Sequence, residues 1–189
     1  AQQKQSLRER LRKQRKSIPA GLARHAASAA ALRLLRSGCL HHARHVALYL
    51  AHGSELATAP LLELLHALGI RSYVPKIGAD HSMRFLELRT GTRLRRNRHG
   101  IAEPVGRRPV RGVRRMDLII LPLLGFDDSG RRLGTGGGYY DRALAAPRSF
   151  RKPLRVGYGY EIQRVTAVPA ESWDIRLDAA VTESSIYRF

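Results

Sequence analysis

The residues best suited to chemistry lie in one run: Gly125-Phe126-Asp127-Asp128-Ser129-Gly130-Arg131-Arg132-Leu133-Gly134-Thr135-Gly136-Gly137-Gly138-Tyr139-Tyr140-Asp141-Arg142. Four glycines within five residues (Gly134, Gly136, Gly137 and Gly138) let the backbone take positive φ and come close to a ligand. Successive bare N–H groups, with the free amides of a helix opening near Tyr139, would form a concave anion site. Arg132 adds a planar, bidentate phosphate donor. The run fits neither Walker A nor GxGxxG, and a glycine cluster by itself also describes a flexible turn. Strand, glycine nest, helix start and arginine occur together in the right order, and that combination points to phosphate binding.

The surrounding sequence supplies elements to hold such a loop. Residues 3–16 read as a basic helix with a thin apolar stripe (Leu7, Leu11), ended by Ile18-Pro19. Residues 20–37 read as a second, Ala-rich helix stopped by Gly38. His45 to Leu50 is a short apolar run suited to a buried strand. Thr58 is placed to cap a helix through Leu68, with Pro60 in its first turn and Gly69 just past its end. Arg71 to Lys76 and Met83 to Leu88 read as strands, the latter with Met83, Phe85 and Glu87 on one face. Asp117 to Leu121 is apolar on both faces, as a central parallel strand would be. Leu154 to Tyr158 and Leu177 to Thr182 complete the set. Strands alternating with helices predict an α/β three-layer sandwich with a largely parallel, Rossmann-like central sheet and helices on both faces.

Composition bounds the function. The 189 residues suit one domain over 1–189 with a real core, since 43% are hydrophobic. The longest apolar stretch, Leu118 to Phe126, is far short of the ~20 residues a membrane span needs, and the opening residues show no apolar signal core. Cys39, the single cysteine, excludes an internal disulfide. A cytoplasmic protein is therefore expected. The charge is large: 34 Lys+Arg against 15 Asp+Glu, a formal +19. It is localised. Residues 1–16 carry seven basic groups against Glu9, and residues 84–115 carry eleven arginines against Glu87 and Glu103. Such charge is either a solvated surface or a means of steering an anion. Nucleic acid is the weaker candidate, because aromatics total 6% and no recognised nucleic-acid motif is present. His41, His42 and His45 cluster without a fourth ligand and read as surface or strand-entry residues.

The string LPLLGFDDSGRRLGTGGGYYDRAL resembles the signature of the 5-formyltetrahydrofolate cyclo-ligase (methenyltetrahydrofolate synthetase) family. Lys4-Gln5-Ser6-Leu7-Arg8 is similar to its K-x-x-L-R opening, Tyr49 to Thr58 to its first strand and loop, and Gly100 to Pro104 to its G-I-x-E-P element. Trp173 to Glu183 is similar to its closing W-D-x-x-L-D-x-x-V-T-E. The resemblance implies an ATP- and Mg²⁺-dependent enzyme that converts 5-formyltetrahydrofolate to 5,10-methenyltetrahydrofolate, releasing ADP and phosphate.

It also implies residue roles. Lys4 and Arg8, on one helix face at i, i+4, would hold ATP phosphates. Arg132, Leu133, Gly134, Thr135, Gly136, Gly137, Gly138, Tyr139 and Tyr140 would wrap the triphosphate. Thr135 to Tyr139 would also touch the folate, together with Leu50 and Glu55. Arg132 and Tyr139 would assist the reaction, and Asp141 and Asp178 would hold Mg²⁺. Each position has a plainer reading: a solvated basic face, a loop glutamate, a packed tyrosine, a dipole-complementing acid or a strand-edge acid. Gly137 departs from the pattern, since many members carry lysine there. A monomer is the expectation. Residues 89–116 read as a long Arg/Gly/Pro-rich excursion. The arginine run over 84–115 has no role in the resemblance, and one hypothesis is that it attracts the acidic tails of polyglutamylated folate. Two other readings remain: a catalytically silent folate- or nucleotide-binding protein, and an RNA-binding protein exploiting the +19 charge.

Overall fold

The computed structural model describes residues 2–78, 82–96, 100, 102–106, 109–145 and 153–189. Two helices open the chain, α1 (Gln2–Lys16) and α2 (Ala20–Arg36), followed by β1 (His45–Ala47), α3 (Ala59–Ala67), β2 (Arg71–Ile77) and β3 (Met83–Leu88). The arginine-rich stretch folds as a hairpin of β4 (Leu94–Arg96) and β5 (Ala102–Pro104), then β6 (Val110–Arg111). The chain continues through β7 (Leu118–Pro122), β8 (Gly125–Phe126), β9 (Arg132–Leu133), α4 (Tyr139–Leu144), β10 (Leu154–Tyr158), β11 (Ala179–Val181) and β12 (Ile186–Arg188).

Eight of these strands form one sheet in the order β12-β11-β10-β7-β1-β2-β3-β6. The inner run β11-β10-β7-β1-β2 is parallel, and antiparallel strands close both edges. β7 shows why both faces are covered. Leu118 and Ile120 pack with Ala27, Ala30, Leu34, Leu61 and Leu65 of α2 and α3. Ile119 and Leu121 point the other way, toward Phe85, Phe126 and Leu144 of α4. This is the predicted α/β sandwich with helices on both sides of a mostly parallel sheet.

Three local expectations are revised. The strand expected over His45 to Leu50 ends at Ala47. One more ladder bond forms, Leu48 N–H to the Tyr73 carbonyl at 2.9 Å, and then the Tyr49 carbonyl accepts from the Thr58 hydroxyl at 2.7 Å. The same bond diverts Thr58 from capping α3, although Pro60 does sit in the first turn. The excursion over 89–116 is shorter than expected, because β6 returns to the sheet edge and pairs Arg111 with Phe85. Among the described residues, no helix is long and apolar enough to cross a membrane.

Candidate active site

The parallel strands wind in opposite directions from the middle of the sheet, β1 leading to β2 on one side and β7 to β10 on the other. A crevice opens at such a switch point, beyond the C-terminal ends of the strands. Here it is a cleft of about 740 Å³. Tyr49, Leu50 and Glu55 after β1, Pro122 at the end of β7, and Pro75 and Ile77 of β2 form its floor and one wall. The glycine loop and Lys4 and Arg8 of α1 form the other.

The thin apolar stripe of α1 positions its charges. Leu11 is fully buried against Leu124, Leu133 and Val168, with Leu7 packed beside it. A side chain at residue 125 would start 2.8 Å from Leu11 Cδ1, so Gly125 lets the helix lie directly on the β8–β9 hairpin. Arg15 is drawn inward one turn later, donating to Ser54 Oγ at 3.1 Å and to the Leu123 carbonyl at 3.3 Å. With that face down, Lys4 and Arg8 reach the cleft. Arg8 Nε donates to the Gly134 carbonyl and Arg12 Nη2 to the Thr135 carbonyl, each at 3.0 Å.

The loop itself needs glycine at specific points. Gly136 has φ 117° and Gly138 has φ 63°, conformations that side chains oppose. A side chain at Gly137 would meet the Tyr139 ring at 2.8 Å, so the lysine of the resembling pattern would require that ring to move. Arg142 returns from α4 to donate to the Gly137 carbonyl at 3.0 Å, and its guanidinium lies 5.0 Å from the Tyr139 ring centroid.

Arg132 is not the open phosphate donor that its place in the sequence suggested. Its side chain is 4% exposed, with Nη2 2.8 Å from Asp141 Oδ1 and Nη1 donating to the Pro122 carbonyl at 3.1 Å. The pair turns Asp141 toward the cleft. Asp141 Oδ1 also accepts from Ile175 N–H at 3.2 Å.

Glu55 and Leu50 line the opposite wall. Glu55 Oε2 accepts from His52 N–H at 2.9 Å. Burial raises its pKa, and this outweighs the opposing pull of the His52 hydrogen bond and of Arg15 behind it. Tyr140, also on the cleft, has its hydroxyl pKa raised by burial, so it stays a neutral donor.

Of the residues expected in the site, Asp178 alone lies elsewhere. It sits where β10 and β11 begin, at the other end of the parallel strands. Its Oδ2 accepts from Arg155 N–H at 2.8 Å, and with Asp117 it lines a separate cavity. Asp174, four residues earlier, is in the cleft. Its Oδ2 is 2.6 Å from Lys4 Nζ and accepts from Glu171 N–H at 2.7 Å. Burial alone would raise its pKa, but these two bonds prevail and lower it. The spacing W-D-x-x-L-D offers two aspartates, and nothing in it says which one faces the ligand. His41 and His42 pack ring to ring 4.4 Å apart beside Asp178. Among the described residues, no group of three or more His, Cys, Asp or Glu is arranged to hold a metal.

Fold and cleft thus define a doubly wound α/β protein whose switch-point crevice combines a glycine loop, basic side chains and carboxylates. The sequence profile of the 5-formyltetrahydrofolate cyclo-ligase family matches residues 1–183. The chain is 35% identical over 182 residues to the 5-formyltetrahydrofolate cyclo-ligase of Escherichia coli K12, covering 95% of this chain and 100% of that one. It is 31% identical over 185 residues to the Mycolicibacterium smegmatis enzyme of the same name, covering 95% and 93%. Its fold matches the solved Aquifex aeolicus 5,10-methenyltetrahydrofolate synthetase with a TM-score of 0.85 at 28% identity, covering 98% and 92% of the two chains. The chain belongs to the 5-formyltetrahydrofolate cyclo-ligase family, and it is an enzyme of that class.

Proposed function

We propose that this protein uses ATP and Mg²⁺ to close 5-formyltetrahydrofolate to 5,10-methenyltetrahydrofolate, with release of ADP and phosphate. One observation carries the reading: a single cleft holds Leu50 and Glu55 on one wall and Lys4, Arg8 and the glycine loop on the other. That is room for a folate and a triphosphate in contact.

The chemistry follows from the substrate. An amide-like formyl oxygen leaves poorly, so it first attacks the γ-phosphorus and ADP departs. Nitrogen 10 then attacks the activated formyl carbon and gives up its proton, and phosphate leaves as the five-membered ring closes. The protein's task is to align the formyl oxygen with the phosphoryl group, balance charge and exclude water. Glu55 is suited to accept hydrogen bonds from the pterin's amino and ring N–H groups. Arg8 and the loop from Leu133 to Tyr140 would line the triphosphate. Tyr139 would offer its hydroxyl to the formyl or phosphoryl oxygen. Arg132 acts one step back, orienting Asp141.

The donor set suits a hard cation. Both hydrogen bonds to Asp141 fall on Oδ1 and both to Asp174 fall on Oδ2, so Asp141 Oδ2 and Asp174 Oδ1 are unengaged among the described residues. One or two carboxylates plus phosphate oxygens are what Mg²⁺ usually takes. When bound, Mg²⁺ would neutralise triphosphate charge, and Asp141 and Asp174 are the residues to hold it.

The test is direct. Protein given Mg²⁺, ATP and 5-formyltetrahydrofolate should generate the near-ultraviolet absorbance of the methenyl product, with ADP measured in parallel. Folded protein that makes neither would sink the reading, and ligand binding without ADP would identify a silent binder.

The exposed arginines Arg93, Arg95 and Arg96 support a preference for polyglutamylated folate. Gly100, between the two strands of their hairpin, lies at the cleft rim, where a side chain on it would sit 3.2 Å from His52 Cε1. KM should then fall as glutamates are added, and salt should erode the gain. Equal KM values for mono- and polyglutamates would end this idea.

A further inference from the structure

The cleft is far less basic than the chain. Its lining holds four cations, Lys4, Arg8, Arg132 and Arg142, and four carboxylates, Glu55, Glu103, Asp141 and Asp174. Lys4 is already paired with Asp174, and Arg132 with Asp141. A triphosphate brings three to four negative charges, so the cations not already neutralised matter most. Two fit that description. Arg8 and Arg142 each hold a backbone carbonyl, and among the described residues neither has an acidic partner.

Arg142 has a built seat. The loop carries no cationic side chain between Arg132 and Arg142. Arg142 nevertheless brings a guanidinium to the middle of that loop by folding back from α4 onto the Gly137 carbonyl and the Tyr139 ring. Its Nη1 lies 2.8 Å from where a side chain on residue 138 would begin, so Gly138 is needed for clearance as well as for its φ of 63°. The side chain is exposed, and four of its five N–H donors remain for a ligand.

We propose that Arg142 is a nucleotide-binding residue of this chain, gripping the triphosphate from the C-terminal end of the glycine loop while Arg8 grips it from the other end. The assignment rests on the ATP site of the preceding subsection. A planar fork already held over a ring and on a backbone carbonyl loses little freedom on binding phosphate. The loop thereby acquires a charge that its own glycines do not carry.

The test separates a phosphate ligand from a mere clasp on the loop. Arg142→Ala removes both functions. Arg142→Gln keeps an N–H donor for the Gly137 carbonyl but no charge, and Arg142→Lys keeps the charge. Trp173, the single tryptophan, is 68% exposed on the cleft rim and reports binding by its fluorescence. Affinity for ATP and for inorganic tripolyphosphate should fall about tenfold or more in both the Ala and Gln variants, as expected for lost charge-assisted hydrogen bonds. Arg142→Lys should recover much of the loss, and in Arg142→Gln, which keeps the clasp, the KM for 5-formyltetrahydrofolate should hardly move. An Arg142→Gln protein that matches wild type while the wild type binds ATP and turns over would overturn this assignment alone. A wild type that binds neither ATP nor tripolyphosphate would overturn both this assignment and the reading beneath it.

Discussion

Lys4 Nζ lies 2.6 Å from Asp174 Oδ2, a salt bridge that spans 170 positions of sequence and ties α1 to the segment before β11. Both side chains line the cleft, so the bridge places a phosphate-type cation next to a metal-type carboxylate. Each would have to serve MgATP as well as its partner. Asp174→Asn should therefore raise the Mg²⁺ concentration for half-maximal rate by about tenfold. Lys4→Met should raise the KM for ATP by a similar factor. The double variant should lose less than the two separate losses combined, because contacting residues couple. Initial rates against Mg²⁺ and ATP in the four proteins check this. Fully additive losses would mean that the two residues act independently.

Arg132 and Asp141 invite a contrast between holding and reacting. Removing Arg132 strips a carboxylate of its cation at a buried position, which should cost about 2–4 kcal/mol of stability. Asp141→Asn keeps the side-chain oxygen that accepts from Arg132 and Ile175 but leaves the more deeply buried Arg132 without its counter-charge, so its melting temperature should fall, though by less than that of an Arg132 variant. Turnover by Asp141→Asn should fall about a hundredfold or more if the carboxylate serves the metal. Melting curves paired with the absorbance assay give both readouts. An unaltered rate would take Asp141 out of the site.

The seating of α1 on Leu11 predicts a remote effect on nucleotide binding. Leu11→Ala empties a fully buried position against Leu124 and Leu133. The expected loss is about 2–4 kcal/mol. Below the new melting temperature the fold should persist while the KM for ATP rises several-fold, because Lys4 and Arg8 ride on the same helix. A KM unchanged in folded Leu11→Ala protein would show that α1 does not deliver these charges.

The parts legible in the sequence were those set by local pattern. β7 announced itself because Leu118 to Leu121 are apolar on both faces, and the i, i+4 spacing of Lys4 and Arg8 implied one helix face. Partners brought together by the fold were hidden. Arg132 read as an open donor, since nothing in the spacing of Arg132 and Asp141 reveals that they pair beneath the cleft. Asp174 and Asp178 are the same residue type four positions apart, and only the sheet decides that they face opposite ends of its strands. β12 is not marked in the sequence, because three residues, Ile186 to Arg188, carry too little pattern to show an antiparallel edge.

Glu55 gives a prediction whose sign depends on pH. Burial raises its pKa in the folded protein, so the native state binds its proton more tightly than the unfolded chain does. Between the unfolded and folded pKa values the native state holds more protons, and stability falls as pH rises through that window. At neutral pH the ionised carboxylate is therefore a cost to the fold, and below the unfolded value the cost is gone. Glu55→Gln keeps an oxygen to accept from His52 N–H but has no charge to desolvate. Its melting temperature should exceed that of wild type at pH 7, and the two should converge at pH 4. The KM for 5-formyltetrahydrofolate should rise about tenfold or more, because a neutral amide replaces a charged acceptor for the pterin. Stability gained where affinity is lost is the mark of a functional group held at the expense of the fold. Melting curves at the two pH values, with folate titrations at pH 7, check both halves. A variant no more stable than wild type at pH 7 would refute the burial cost, and an unchanged KM would refute the pterin contact.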